Sequence, residues 1–334
     1  MTKKNEKCKL KEEVLKSVFE KYFFKSGYMC KSPNQFSCAP ENRSCPINFK
    51  HRYSVWDSCY NYFQDEVFNE EKEEVLNEKK EIDFKQAGLH LGFYLASWGM
   101  FRNSELLNQG SEFFEKLAEK IKEIGNHKNC FPSEECFKTT YVKIKCAIEG
   151  CENQSNEECS GKKDCECCEN TKLVCCKKME EKKEKKEKSK GKPEDGKVRA
   201  TDTLVTKIML GVYGNFPAVD SNFKSALRHY SIGISGNKKC SKEKAKDVWK
   251  KISDVYELEV KGYKCEDECN NNNCIKKNNL KCFIKKLRGK SGLPEKFSDA
   301  KILDALFFTI GDKILDNEKE KKKKEKPNLS LSSN

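Results

Sequence analysis

Two long apolar blocks dominate the hydrophobic pattern of this chain. They are residues 86–104 (QAGLHLGFYLASWGMFRNS) and residues 203–220 (TLVTKIMLGVYGNFPAVD), and they flank a middle region rich in Cys, Lys and Glu. Residues 84–101 are apolar around almost the whole circumference of a helix, which predicts a central buried helix. Because the middle region has few apolar positions, we expect the two blocks to form the core without it.

Further segments show apolar residues at the i, i+3, i+4, i+7 spacing of amphipathic helices. These segments are residues 10–24, 53–63, 106–124, 220–230, 242–258, 275–287 and 299–315. No series of alternating apolar and polar positions predicts a β-strand. The pattern therefore predicts an all-α fold, with a single multi-helix core that is interrupted by a Cys- and Lys-rich insertion.

The same pattern predicts how the chain is divided. Residues 1–128 form the N-terminal half of the helical core, and residues 129–197 form the insertion. Residues 198–316 form the C-terminal half, with a small Cys-bearing loop at 264–279. The Lys-rich residues 317–334 are expected to be disordered, because they cannot bury enough apolar surface to fold.

The chain carries a formal net charge of +13, which suggests an anionic partner. Residues 177–197 contribute ten Lys against six acidic residues, and residues 318–326 contribute six Lys against three Glu. More than half of the excess thus lies in two low-complexity runs. Nucleic acid remains a possible partner, although the chain has only six Arg, the residue best suited to bidentate phosphate and base contacts.

Twenty Cys are the outlier of the composition. They fit free thiols in a reducing cytoplasm, a metal-binding insertion or disulfides, and the sequence leaves these three states open. Zinc is the possible metal, because ligands two to four residues apart let one turn present two thiolates. The candidate metal ligands are Cys165, Cys168, Cys175 and Cys176. No other cofactor is indicated.

The segment LGFYLASWGMFRNS (residues 91–104) resembles a signature of an uncharacterised family of bacterial helical proteins. In that family a downstream segment reads TDTLxTKIMLGxxGxxPAxD, which is similar to residues 201–220 here. The resemblance covers roughly residues 10–125 and 198–315. It implies a helical core and no particular activity.

A more distant likeness concerns residues 203–223 (TLVTKIMLGVYGNFPAVDSNF), which are similar to part of the helix–hairpin–helix DNA glycosylases. This likeness implies nucleic-acid binding and release of a damaged or modified base. Asp220 matches the carboxylate that stabilises the cationic sugar, and a plain helix N-cap or another binding role are the alternatives for it. On this hypothesis Arg102, Lys207 and Arg228 are the candidate phosphate contacts, and for Arg102 a simple pair with an acid such as Glu105 is the favoured alternative.

Other chemistries lack support. The motifs GxGxxG, Walker A, HExxH and GxSxG do not occur. His90 is expected to be a core histidine whose ring nitrogens are hydrogen-bonded.

A second hypothesis is a non-enzymatic interaction or metal-binding protein that uses the insertion. No apolar run is long enough for a membrane span, and the charged N-terminus lacks the apolar region of a secretory signal, so we expect a cytoplasmic location without membrane contact. The oligomeric state is left open.

Overall fold

The computed structural model confirms the all-α fold. It describes residues 10–25, 55–69, 81–102, 104–127, 133–150, 198–230, 232, 241–263, 278–290 and 297–325. Helices account for most of these residues, and the strands among them are β1 (Leu10–Lys11) and β2 (Val260–Lys261). These two strands pair in parallel, with Leu10 opposite Val260. None of the helices in the described ranges is both long and apolar enough to cross a membrane.

The helices overlap the predicted segments, except α5, which falls in the predicted insertion. They are α1 (Glu12–Lys25), α2 (Val55–Tyr62), α3 (Phe84–Ser97), α4 (Ser111–Ile124), α5 (Glu134–Glu149), α6 (Asp202–Tyr213), α7 (Ser221–His229), α8 (Ser241–Tyr256), α9 (Leu280–Lys290) and α10 (Asp299–Glu325). A π-helical turn (Phe63–Val67) extends α2, and a 3-10 turn (Glu105–Asn108) precedes α4.

Short polar side chains mark where several helices begin. Asp83, Ser133 and Thr201 precede α3, α5 and α6, and each accepts a hydrogen bond from the backbone N–H three residues later, at 2.8, 3.3 and 3.2 Å. Such N-caps satisfy backbone donors that have no partner inside the helix. The helix α6 ends at Gly214, whose φ of 67° is a left-handed conformation that glycine adopts without strain.

The described helices form two compact units. The central unit consists of α2 to α6 and of α8 as far as Lys250. The terminal unit consists of α1, α7, the last residues of α8, α9, α10 and the strand pair. Each unit therefore combines segments from before and after residues 151–197. This division differs from the predicted one, in which the N-terminal and C-terminal halves share a single core.

The central unit is built around α6, in which every residue from Leu204 to Tyr213 is buried. The indole N–H of Trp56 on α2 donates to the carbonyl of Leu210 at 2.8 Å. Phe137 on α5 packs edge-on against Phe216, with ring centroids 5.1 Å apart. The apolar block at residues 203–220 thus supplies a core helix, as the pattern predicted.

The terminal unit is built around α10. Phe307 on α10 packs against Phe223 on α7, with ring centroids 5.3 Å apart. Lys301 and Asp304 are each 1% exposed, and their charged atoms lie 3.8 Å apart. The Asp304 carboxylate also accepts from the backbone N–H of Ala218 at 3.0 Å, which ties the PAVD segment to α10.

The structure corrects the boundaries of the predicted insertion and tail. The segment 134–149, which was assigned to the insertion, forms α5 and buries an apolar face in the central unit. The helix α10 continues to Glu325, where disorder was predicted from residue 317. Mixed Lys and acidic residues support this extension, as in the Lys319–Asp316 pair at 2.9 Å. Residues 151–197, 264–277 and 326–334 lie outside the described residues.

The helix α3 is less buried than its composition predicted. The side chains of Leu89 and Phe93 are 52% and 66% exposed. His90 lies at an intermediate level of exposure, so it is not the core histidine that we expected. The helix also ends before the apolar run does, because Gly99 turns the chain with a φ of 73°.

Candidate nucleic-acid interface

The helix α9 in the terminal unit separates apolar and cationic residues. Leu280, Phe283 and Ile284 are 0%, 1% and 0% exposed and anchor one side of the helix in the unit. The side-chain oxygen of Asn279 caps the first turn by accepting from the backbone N–H of Cys282 at 3.0 Å. Because this side is held, the opposite side of α9 has a fixed orientation toward solvent.

Every charged residue of α9 is basic. The helix reads LKCFIKKLRGK and contains Lys281, Lys285, Lys286, Arg288 and Lys290. Lys281, Lys285 and Arg288 are exposed, and their spacing of four and three residues places them on one helix face. We call these three residues the cationic face of α9.

Neighbouring groups hold part of this charge in place. Arg288 pairs with Asp299 at 3.5 Å, and its side chain is 44% exposed. The ammonium of Lys286 lies 5.2 Å from the ring centroid of Tyr263, within the range of a cation–π interaction. At the other end of the helix, Glu257 accepts from the Asn279 amide at 3.1 Å. The basic residues of α9 therefore lie on a helix whose position is fixed by contacts with its neighbours.

The structure gives Asp220 the role of an N-cap. It precedes α7 in the terminal unit, and one carboxylate oxygen accepts from the backbone N–H of Phe223 at 2.9 Å. Asp220 is 8% exposed. This arrangement matches the plain capping alternative. The catalytic alternative requires the same carboxylate to reach a substrate, and it stays a prediction.

Lys207 does not fit its predicted role as a phosphate contact. It is 1% exposed within α6 of the central unit. Its ammonium lies 4.1 Å from the centroid of the Trp98 ring. A side chain enclosed in this way cannot reach a phosphate on an external duplex, so this prediction was wrong.

Arg102 and Arg228 are both exposed, which leaves them free to contact an external partner. Arg102 belongs to the central unit and follows the turn at Gly99. Arg228 belongs to the terminal unit, and its Nε donates to the carbonyl of Lys224 at 3.4 Å. The four residues predicted to act together are thus divided between the two units. Asp220 caps the start of α7 and Arg228 lies near its end, roughly 12 Å away along the axis at 1.5 Å per residue.

The four predicted metal ligands, Cys165, Cys168, Cys175 and Cys176, lie outside the described residues. Among the residues that the structure describes, no group of three or more His, Cys, Asp or Glu is arranged to hold a metal ion. Cys59 is a buried free thiol, and burial raises its pKa, which keeps it in the unreactive thiol form. Cys136 is disulfide-bonded. The described cysteines thus include both redox states.

The cationic face of α9 was missed at the level of the sequence, although a signal was present. Residues 275–290 (IKKNNLKCFIKKLRGK) contain seven basic residues and no acidic one. The Lys-rich runs at residues 177–197 and 318–326 are more conspicuous in the sequence, but acidic residues reduce their net charges to +4 and +3, against +7 for residues 275–290. No protein-family model matches the chain, and comparisons with curated proteins and with solved structures found no significant similarity.

Proposed function

We propose that this protein binds nucleic acid through the cationic face of α9, by contacts to phosphates. The observation that supports this proposal is the set of exposed basic residues on a helix without any acidic residue, held by a buried apolar side. A one-signed basic stripe along a helix is the electrostatic footprint of a polyanion-binding surface. The overall positive charge adds long-range attraction for the same partner.

The burial of α9 favours nucleic acid over a membrane surface. A basic amphipathic helix binds a bilayer by inserting its apolar face among the lipids. In α9 the apolar face is already buried within the terminal unit, where Phe283 and Ile284 are 1% and 0% exposed. Only the cations are available to a partner, and they suit the phosphate backbone.

The identity of the cations favours binding without sequence preference. Four of the five basic residues of α9 are Lys, which contacts phosphates as a point charge. Phosphate contacts fix position and affinity, whereas sequence is read by contacts to base edges. We therefore expect similar affinities for duplexes of different sequence, and a marked dependence on salt.

The test is a titration of the whole protein into a labelled duplex of about 20 base pairs at roughly 50 to 200 mM salt, followed by anisotropy. The informative variant is K281Q/K285Q. Removing two phosphate contacts should make the slope of log K against log salt less steep by about 1.8, since each contact contributes about 0.9.

A matched control comes from α4. Lys116 and Lys120 are also exposed lysines four residues apart on a helix, but Glu residues surround them in the sequence SEFFEKLAEKIKEI. The variant K116Q/K120Q changes the net charge by the same amount and should leave the slope unchanged. Equal losses in both variants would mean that only net charge matters, and binding unaffected by K281Q/K285Q would rule out α9 as the interface.

A further inference from the structure

Ser58 and His90 bring a hydroxyl and an imidazole together across two helices of the central unit. The Oγ of Ser58 on α2 lies 3.0 Å from Nδ1 of His90 on α3. On the other side of the ring, the amide nitrogen of Gln86 lies 3.3 Å from Nε2. The ring stacks on Tyr62, with centroids 4.4 Å apart and planes inclined by 21°. Both nitrogens and one face of this imidazole are therefore held.

This arrangement has the parts of a nucleophile activated by a base. Covalent catalysis by serine needs a base within about 2.6–3.2 Å of the hydroxyl and a third group that orients the base. Ser58, His90 and Gln86 match these three positions. For His90 to accept the hydroxyl proton at Nδ1, Nε2 must carry a proton. The Gln86 amide oxygen can accept a hydrogen bond from this N–H once the amide is flipped, which exchanges its O and N atoms and leaves their positions nearly unchanged.

The surroundings keep the imidazole in the form that a base requires. Burial lowers the pKa of His90 from its ordinary value. The lowered pKa favours the neutral imidazole, which is the form that can accept a proton. Tyr62 in turn is fixed by its hydroxyl, which donates to the carbonyl of Asp83 at 3.2 Å.

The surface around the pair suits a small substrate with an apolar group. Ser58 is exposed and lies at the end of the first turn of α2, close to the positive end of the helix dipole, which favours developing negative charge. On α3, Leu89 and Phe93 are 52% and 66% exposed and stand next to His90 and one turn beyond it. An acyl chain or an aromatic leaving group can pack on these two side chains.

We propose that Ser58 and His90 hydrolyse small carboxylic esters. The Ser58 oxygen attacks the ester carbonyl carbon while His90 takes the hydroxyl proton. The bond to the leaving alcohol then breaks, and His90 returns the proton to it, which leaves an acyl group on Ser58. Water, deprotonated by His90, then attacks this acyl group, the acyl–Oγ bond breaks, and His90 returns the proton to Ser58. A carboxylic acid is released, so the net reaction is ester plus water giving acid plus alcohol.

The test uses the full-length protein with p-nitrophenyl acetate and p-nitrophenyl butyrate at pH 7. We expect hydrolysis above the buffer rate, which S58A abolishes and H90Q lowers by about 100-fold, the usual contribution of a general base. The matched control is S111A, which removes an exposed serine in the first turn of α4. It should retain the activity of the unmodified chain.

A second measurement does not depend on the variants folding. A fluorophosphonate probe is added to the unmodified protein, and the labelled peptide is identified by mass spectrometry. Label on Ser58 supports the proposal. No label on Ser58, or hydrolysis by S58A at the rate of the unmodified chain, would overturn it, because the activity would then come from other residues.

Discussion

Asp220 allows a capping role and a catalytic role to be separated by two substitutions. Its carboxylate accepts from the backbone N–H of Phe223 at 2.9 Å at the start of α7. Alanine removes this acceptor, so D220A should lower the free energy of unfolding by about 1 kcal/mol. Asparagine caps helices as well as aspartate does, so D220N should keep the stability of the unmodified chain. Urea unfolding followed by circular dichroism measures both.

The same pair of variants tests the glycosylase likeness. In a base-release assay on a duplex with a damaged base, a catalytic carboxylate would make D220N inactive although the protein remains stable. If no variant changes base release, or if no release occurs, Asp220 is a cap and the likeness carries no activity. A loss of stability in D220N as large as that in D220A would contradict the capping role.

Sequence patterns predicted single residues well where the determinant is local. Asp220 was recognised as a possible cap because capping depends on the residues that follow it within one turn. Lys207 was misread, since its role depends on Trp98, which lies more than a hundred residues earlier in the chain. A local warning was nevertheless present: Leu204, Leu210 and Gly211 stand one turn away on either side, which places Lys207 on an apolar surface.

At the level of elements, close packing between α7 and α10 depends on Gly311. A Cβ atom at this position would overlap the backbone carbonyl of Asn222 on α7. Backbone cannot yield as a flexible side chain can, so G311A should lower the free energy of unfolding by about 1–3 kcal/mol, as is usual for overpacking. Chemical denaturation monitored by circular dichroism provides the measurement.

Gly289 provides the matched control for that substitution. It also lies in a helix of the terminal unit, but a Cβ built on it meets nothing within 4 Å. Alanine there only improves helix propensity, so G289A should be neutral or more stable by up to about 1 kcal/mol. If G311A is as stable as the unmodified protein, α7 and α10 can move apart without loss of packing.

The helices themselves were largely predictable, and the exceptions have physical causes. The apolar positions of α5 are Phe137, Tyr141, Ile144 and Ile148, a helical spacing that was hidden by the surrounding Cys and Lys residues. The end of α10 was set too early, because a run of Lys and Glu has low hydrophobicity whether it is disordered or an exposed helix. Composition alone does not separate these two states, whereas i, i+3 and i, i+4 charge pairs do.

At the scale of the whole molecule, the division into two units was not predictable from the sequence. The boundaries near Phe216 and Lys250 fall within or beside apolar segments, where composition does not change. Both units nevertheless take helices from each side of residues 151–197. Within the central unit, α3 and α6 come from the two apolar blocks, and they pack so closely that a Cβ atom on Gly211 would overlap the Tyr94 ring.

This arrangement makes the excision of residues 151–197 an informative test of the whole molecule. The hydroxyl of Tyr141 donates to the Asp202 carboxylate at 2.5 Å, so α5 and the start of α6 lie side by side. From Tyr141 to Gly150 the helix rises roughly 14 Å, and a Gly/Ser linker of about 12 residues spans about 19 Å. Shortening the connection in this way should stabilise the fold by at most about 1 kcal/mol, through reduced loop entropy.

The excised protein also separates the two functional hypotheses. Residues 151–197 contain seven Cys and thirteen Lys against twelve acidic residues, so their removal changes the net charge by only one unit. If α9 binds nucleic acid, the excised protein should keep the affinity and salt slope of the full chain. Binding should then not depend on the zinc content of the protein. If the excised protein instead loses its partner or a stoichiometric zinc ion, the function resides in the Cys-rich segment, because the charge and the helices that we describe are still present.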